Sequence, residues 1–353
     1  MSSSTKIFNT VLIGLGMVAD THLKAIAGLN GKVRLKGVYA RTAQTAQQYA
    51  AKATAICGES CTAYASIQQI TDDQELDFVI IATPPNARLA LVKLFTQAKL
   101  PILMEKPIER TSGAALEIVT LCEASNTLLG MVFQHRARVA SIKLQQMIKA
   151  GELGQLGMVN VAAPLWRAQS YYDEPGRGSY QRDGGGVLIS QAIHTLDLML
   201  SLTGEVTEVQ AMSRTSMFHQ MESEDFVSAG MTFKNGAIGS LLATTANYPG
   251  GSECITLHFT KAVAKLERSI LEIFWRDGRT ESYGESEAII ASNDPMAYKA
   301  SWHGSVITDF IEAIAEQRLP MATGREGLKV HRLIDALMAS SELQKTVAVS
   351  GEA

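Results

Sequence analysis

Apolar positions recur along the first part of the chain at the spacing of short strands followed by amphipathic helices. Val11–Ile13 is an apolar run that breaks into glycines, and a helical pattern follows from Val18 to Ala27, so the order is strand, glycine turn, helix. After a turn at Gly28–Gly31, Val33–Tyr39 alternates as a strand and Thr42–Ala53 reads as a helix. The alternation continues with strand Asp77–Ala82, helix Ala87–Ala98, strand Pro101–Met104, helix Ser112–Ala124, strand Leu128–Phe133 and an exit helix Val139–Ala150. Such repetition builds a parallel sheet. Beyond Gly151 the strands lengthen and alternate in polarity: Val159–Leu165, Val206–Ser213, Asp225–Phe233, Ala237–Thr245 and Cys254–Thr260. Asn235-Gly236 is a two-residue hairpin signal. Helices are expected at Val187–Leu202, Val306–Gln317 and Arg325–Ser341.

The first turn carries the first chemical signal. Thr10-Val-Leu-Ile-Gly14-Leu-Gly16-Met-Val-Ala19 has the spacing a dinucleotide needs: Gly14 turns the chain off the strand, Gly16 lets a pyrophosphate approach the backbone, and Ala19 lets helix and strand pack closely. The helix then aims free N–H groups and its dipole at the phosphates. The fold class predicted is α/β, with an N-terminal Rossmann doubly wound parallel sheet in residues 1–136. A C-terminal α+β domain, residues 137–353, carries a large, mostly antiparallel open sheet for substrate binding and oligomerisation, its last helices packing back on the first domain. A sheet this wide leaves a face to cover, so a homodimer or homotetramer is expected.

At 353 residues, 46% apolar and a formal net charge of -3, the composition suits two domains with sizeable cores. Lys and Arg never form a run, which argues against nucleic acid or a membrane surface as partner. Met1–Thr5 lacks a basic start and an apolar region, and no apolar stretch is long enough to span a bilayer, so a cytoplasmic protein is expected. Cys57, Cys61, Cys122 and Cys254 have neither redox nor zinc spacing and are expected to be buried thiols; no metal site is predicted.

An acidic residue normally grips the adenosine ribose at the end of the second strand, but Thr21 to Gly58 contains no Asp or Glu. The strand tip is Tyr39-Ala40-Arg41-Thr42, and an arginine there can pair a 2'-phosphate, so NADP is favoured with NAD possible. Ligands of open parallel sheets lie across the carboxyl ends of the strands. The expected cofactor contacts are therefore Gly14, Gly16, Met17, Val18, Arg41, Thr42, Ala82, Thr83, Pro84, Asn86, Glu105, Lys106 and Gln134. Lys106, in Glu105-Lys106-Pro107, is aimed where a hydroxyl losing a hydride must also lose its proton. A lysine titrates ordinarily near 10.4, and desolvation beside a cationic ring lowers that value. Downstream, Gly184-Gly185-Gly186 leads into a helix on which Ser190, Gln191, His194 and Asp197 are spaced to share a face. The segments Trp166–Asp173 and Arg177–Asp183 concentrate aromatic and polar side chains suited to a polyol. Substrate contacts are expected from Lys106, Arg136, Trp166, Arg167, Tyr172, Arg177, Gln191 and His194.

Taken together, Gly14-x-Gly16-x-x-Ala19-x-x-His22, Glu105-Lys106-Pro107 and Gly184-Gly-Gly-x-Leu188 through His194-x-x-Asp197 resemble the Gfo/Idh/MocA oxidoreductases, over nearly the whole chain. The resemblance implies Lys106 as base or proton relay and His194 as hydrogen-bonding partner of the reacting hydroxyl. Two departures stand out. Many members carry an aspartate where this chain has Ser190, so Gln191 or Asp197 would have to compensate, and Arg88 stands where members often have histidine. The reading is an NAD(P)-dependent dehydrogenase or reductase acting on a sugar, polyol or sugar derivative. Two alternatives stay open: a glycosidase that oxidises its substrate transiently, and a non-catalytic NADP-binding regulatory protein.

Overall fold

Six strands make the first sheet: β1 (Phe8–Ile13), β2 (Val33–Tyr39), β3 (Thr62–Ala63), β4 (Phe78–Ile81), β5 (Ile102–Glu105) and β6 (Leu129–Val132). The computed structural model describes residues 6–284 and 300–350. All pairings in this sheet are parallel, in the spatial order β3-β2-β1-β4-β5-β6, so the order reverses between β1 and β4. That reversal opens a crevice at the carboxyl ends of the two strands. β4, β5 and β6 are buried at every position, the mark of strands covered on both faces. The connecting helices are α1 (Ala19–Ala27), α2 (Ala43–Cys57), α3 (Ile67–Thr71), α4 (Arg88–Gln97) and α5 (Ser112–Ala124). α2 starts on the Thr42 hydroxyl, which accepts from the Thr45 N–H at 3.3 Å, and stops at Gly58 in the left-handed conformation.

The chain divides into two compact units. The first holds the residues up to Glu109, Gly113–Gln134 and the helix α9 (Ala300–Glu316) with the chain on to Leu328. Within it α9 packs on α1, and Gly130 of β6 admits the Phe310 ring where a Cβ would stand only 2.6 Å from it.

The second unit is built on nine strands: β7 (Leu156–Pro164), β8 (Val206–Arg214), β9 (Phe226–Phe233), β10 (Ile238–Thr244), β11 (Cys254–Phe259), β12 (Ala262–Glu267), β13 (Ile270–Trp275), β14 (Thr280–Gly284) and β15 (Val347–Ala348). Their order is β14-β13-β12-β11-β7-β10-β9-β8-β15, and every pairing but β7 with β10 is antiparallel. The Asn235-Gly236 hairpin joins β9 to β10, with Gly236 at φ +86°. Helices α6 (Val139–Lys149), α7 (Gln169–Tyr172) and α8 (Ile193–Thr203) belong to this unit, and α6 and α8 pack on its strands.

Several elements differ from the sequence pattern. The expected helix Val187–Leu202 opens as a π-turn, Leu188–Ala192, before α8 begins. Five strands have no counterpart in the sequence pattern: β3, the neighbouring β12, β13 and β14, and the terminal β15. Of the four cysteines only Cys122 is buried; Cys57, Cys61 and Cys254 are partly exposed, because Cys57 ends α2, Cys254 opens β11 and Cys61 lies in the chain between α2 and β3. No helix among the described residues is long and apolar enough to cross a membrane.

Candidate active site

At the crevice between β1 and β4, Gly14 and Gly16 have different surroundings. Gly14 has φ +95°, and a Cβ there would lie 2.6 Å from the Thr83 nitrogen, so the turn closes on the end of β4 only with glycine. Gly16 would place its Cβ in open space, with no atom within 4 Å. The cap residue of α1, Val18, makes no side-chain capping bond, and the first-turn N–H groups of Ala19 and Thr21 donate to the Gly16 and Val18 carbonyls, each at 3.1 Å. Opposite, the Thr83 Oγ1 is buried with no hydrogen-bond partner among the described residues. An open backbone cradle and an orphaned hydroxyl on the same rim fit a dinucleotide. Met17 is exposed at the turn, while Ala82, Pro84 and Asn86 line the chain past β4. Arg41 is exposed at the tip of β2, and Thr42 behind it is spent on capping α2.

Lys106 follows β5 directly and is half-buried. Glu105 is not its surface partner. The Glu105 side chain is buried and accepts from His22 Nε2 at 2.8 Å, with His303 Nε2 at 3.7 Å, and from the Lys106 main-chain N–H at 3.2 Å. Burial works to raise its pKa, but the two histidines outweigh it and hold the carboxyl well below the usual range. Burial also lowers the His303 pKa, against the pull of Glu105. The three ligand atoms lie within 4.8 Å of one another, a grouping that could hold a metal ion. Metal-bound imidazoles usually donate from their far nitrogen, whereas Nδ1 of both His22 and His303 is buried with no hydrogen-bond partner among the described residues. The set reads instead as a hydrogen-bonded brace for Glu105. Any Glu105 contact with a cofactor therefore falls to its main chain. Gln134, past β6, is buried.

In the second unit His194 is the second residue of α8 and only 3% exposed. Its ring lies against His135, centroids 4.9 Å apart, and His135 Nε2 stands 3.8 Å from Glu253 Oε2. Glu253 also accepts from the Thr195 hydroxyl. Ser190, Gln191, His194 and Asp197 do not act as one polar row, because the π-turn changes the register between them. Ser190 Oγ donates to the Gly186 carbonyl and to Gln191 Oε1, and Gln191 Nε2 donates to Tyr171 Oη at 3.2 Å. Asp197 is fully buried and accepts from Arg136 Nε at 2.8 Å and Nη2 at 2.7 Å. Asp197 is thus committed to a bidentate pair and is not spare for a relay, and Arg136 spends two donors on it.

The glycine triplet is a packing device. A Cβ on Gly186 would lie 1.7 Å from the Glu224 carbonyl oxygen, and the buried Glu224 carboxylate accepts from the Gly186 and Leu188 N–H groups at 3.0 and 3.1 Å. In the preceding loop, Tyr172 is buried with its hydroxyl 2.7 Å from Thr245 Oγ1, a structural position. Its neighbour Tyr171 is the half-buried hub, with the Arg177 guanidinium 4.6 Å from its ring centre and Gln191 on its hydroxyl. Arg177 also pairs with Glu174 at 2.7 Å, Arg167 is buried with Nη1 on the Trp166 carbonyl, and Trp166 is half-buried beside Tyr248. Sequence reasoning missed Tyr171, His135, Glu253, His303 and the role of Arg88. Only Tyr171 left a signal, in the aromatic and polar composition of Trp166–Asp173; the others meet their partners through distant chain.

Residues 8–133 match the family model for the oxidoreductase family, NAD-binding Rossmann fold, and residues 141–265 match the GFO/IDH/MocA C-terminal domain. The chain is 27% identical over 255 residues to the rhizopine catabolism protein MocA of Rhizobium meliloti, covering 71% of this chain and 75% of that protein. It is 23% identical to the inositol 2-dehydrogenase of the same species (strain 1021), over 96% and 98% of the two chains. Among solved structures, levoglucosan dehydrogenase in complex with NADH and levoglucosan shares the fold, with TM-score 0.84, 21% identity and coverage of 98% and 100%. With both of its units matched in sequence order, the chain belongs to the GFO/IDH/MocA family of NAD-binding oxidoreductases.

Proposed function

We propose that the protein is an NADP-preferring dehydrogenase or reductase, moving a hydride between the nicotinamide and a hydroxyl or keto carbon of a sugar, polyol or sugar derivative. The observation that carries this reading is the pair of glycines at the β1 turn, one pressed on β4 and the other open to a ligand, on the strand edge that also presents Lys106. When bound, the dinucleotide supplies the hydride acceptor or donor. Lys106 takes the proton of the reacting hydroxyl, or returns it in the reverse direction. His194 hydrogen-bonds the same oxygen and orients it. Gln191, Trp166, Arg167 and Arg177, with Tyr171 added to the expected set, supply the flat faces and donors that hold a polyol. The relatives named for inositol and levoglucosan support a cyclic polyol or sugar as the substrate class.

The NADP preference rests on Arg41, exposed at the end of β2, and on the first turn of α2, which carries no acidic side chain. Fluorescence titration should give tighter binding of NADPH than of NADH. Arg41→Ala should weaken NADPH by about tenfold, the loss of one charge-assisted contact, and leave NADH unchanged. Equal affinities in the wild type would refute the preference but not the reaction class.

A further inference from the structure

Buried charge holds the main chain at Lys106 from two sides. The Lys106 N–H donates to Glu105 Oε2, itself braced by His22 and His303. On the other side stands Arg88, the first residue of α4, only 2% exposed. Its Nη1 donates to the carbonyls of both Glu105 and Pro107, the residues flanking Lys106. Its Nε and Nη2 donate to the Thr83 carbonyl, at 3.1 and 2.8 Å, at the end of β4. Burial lowers the Arg88 pKa to about 10, with the carboxylates of Glu105 and Glu109 opposing the shift, so the group stays cationic at neutral pH. A buried guanidinium is costly unless its donors are used, and here they are spent on three main-chain carbonyls, two flanking Lys106 and one past β4.

We propose that Arg88 is a positioning residue for Lys106: it ties the carbonyls on both sides of that lysine to the end of β4, so the ammonium is presented from one fixed backbone. The inference rests on Lys106 being the proton acceptor proposed above. The forked donors of a guanidinium matter, because a side chain such as imidazole has at most two.

The direct test is reductive ¹³C-methylation of the protein with NMR of the dimethyl-lysine signals, Lys106→Arg assigning the Lys106 resonance. In Arg88→Gln the Lys106 signal should move toward the envelope of exposed lysines while the others stay in place. In the substrate assay, kcat should fall by about 100-fold, the cost of misplacing a reacting group by an ångström, with KM held within about twofold. If Arg88→Gln does not fold, Arg88→His is read in the same way. An unmoved Lys106 resonance with unchanged kcat, whatever the change in thermal midpoint, would overturn the inference and leave Arg88 a packing residue. Full activity in Lys106→Ala would instead remove the assignment of the base, and the NMR result would still stand, so the two failures are distinct.

Discussion

Gly14 and Gly16 are two residues apart and do opposite work. Because Gly14 combines positive φ with backbone atoms 2.6 Å from where a Cβ would sit, Gly14→Ala should destabilise the fold by about 2 kcal/mol or more. Gly16→Ala finds open space, so thermal unfolding should change by less than about 0.5 kcal/mol. The same substitution should weaken nicotinamide dinucleotide binding in titration, by intruding where the pyrophosphate approaches. Equal loss of stability in both variants would contradict this division. At this scale the sequence is legible where a residue type answers a backbone demand, as at Gly14; Thr42, expected within its helix and as a cofactor contact, instead caps α2. Arg88, His303 and His135 were opaque, because each is defined by a partner that only folding brings near. Tyr172 was chosen over Tyr171 for the same reason: a loop's composition does not say which of two adjacent rings turns inward.

The elements were legible where their period was long enough to count. β2 and α5 run over the residues the pattern predicts, and α2 departs in starting at Ala43, one residue after its cap Thr42, and in running on to Cys57. β3 and β15 have two residues each and no period to read. β12 and β13 did carry one: Val263-Ala-Lys-Leu-Glu and Ile270-Leu-Glu-Ile alternate, and the structure buries every second residue. The π-turn before α8 was beyond pattern reading, since its apolar residues suit an unbroken helix. That helix is held by the fully buried Asp197 on Arg136. Arg136→Ala should cost about 3–5 kcal/mol in chemical denaturation, because it strands a buried carboxylate. Replacing both partners with apolar residues should cost much less. If the single variant unfolds no more easily than the wild type, the pair does not anchor α8.

Across the molecule, the order of parallel strands and the long antiparallel sheet follow from the change of period after residue 150. The second sheet also has a solvent-facing row that the register defines: Ile238, Met158, His258, Val263 and Phe274 lie side by side on five neighbouring strands. Ile238 is 60% exposed and Phe274 41%. A row of four apolar side chains interrupted by one histidine on a sheet face suits an interface between copies of the chain. Sedimentation should therefore find a dimer or tetramer that Ile238→Lys weakens; a monomer at micromolar concentration would contradict the assignment. The proposed reaction turns above all on one proton acceptor, Lys106. Nicotinamide absorbance at 340 nm, followed with NADP or NAD over a panel including myo-inositol and levoglucosan, tests it most directly. The wild type should reduce the cofactor with a member of that class, and Lys106→Ala, still binding cofactor, should be slower by about 10²–10⁴-fold. Undiminished turnover in Lys106→Ala would contradict the account.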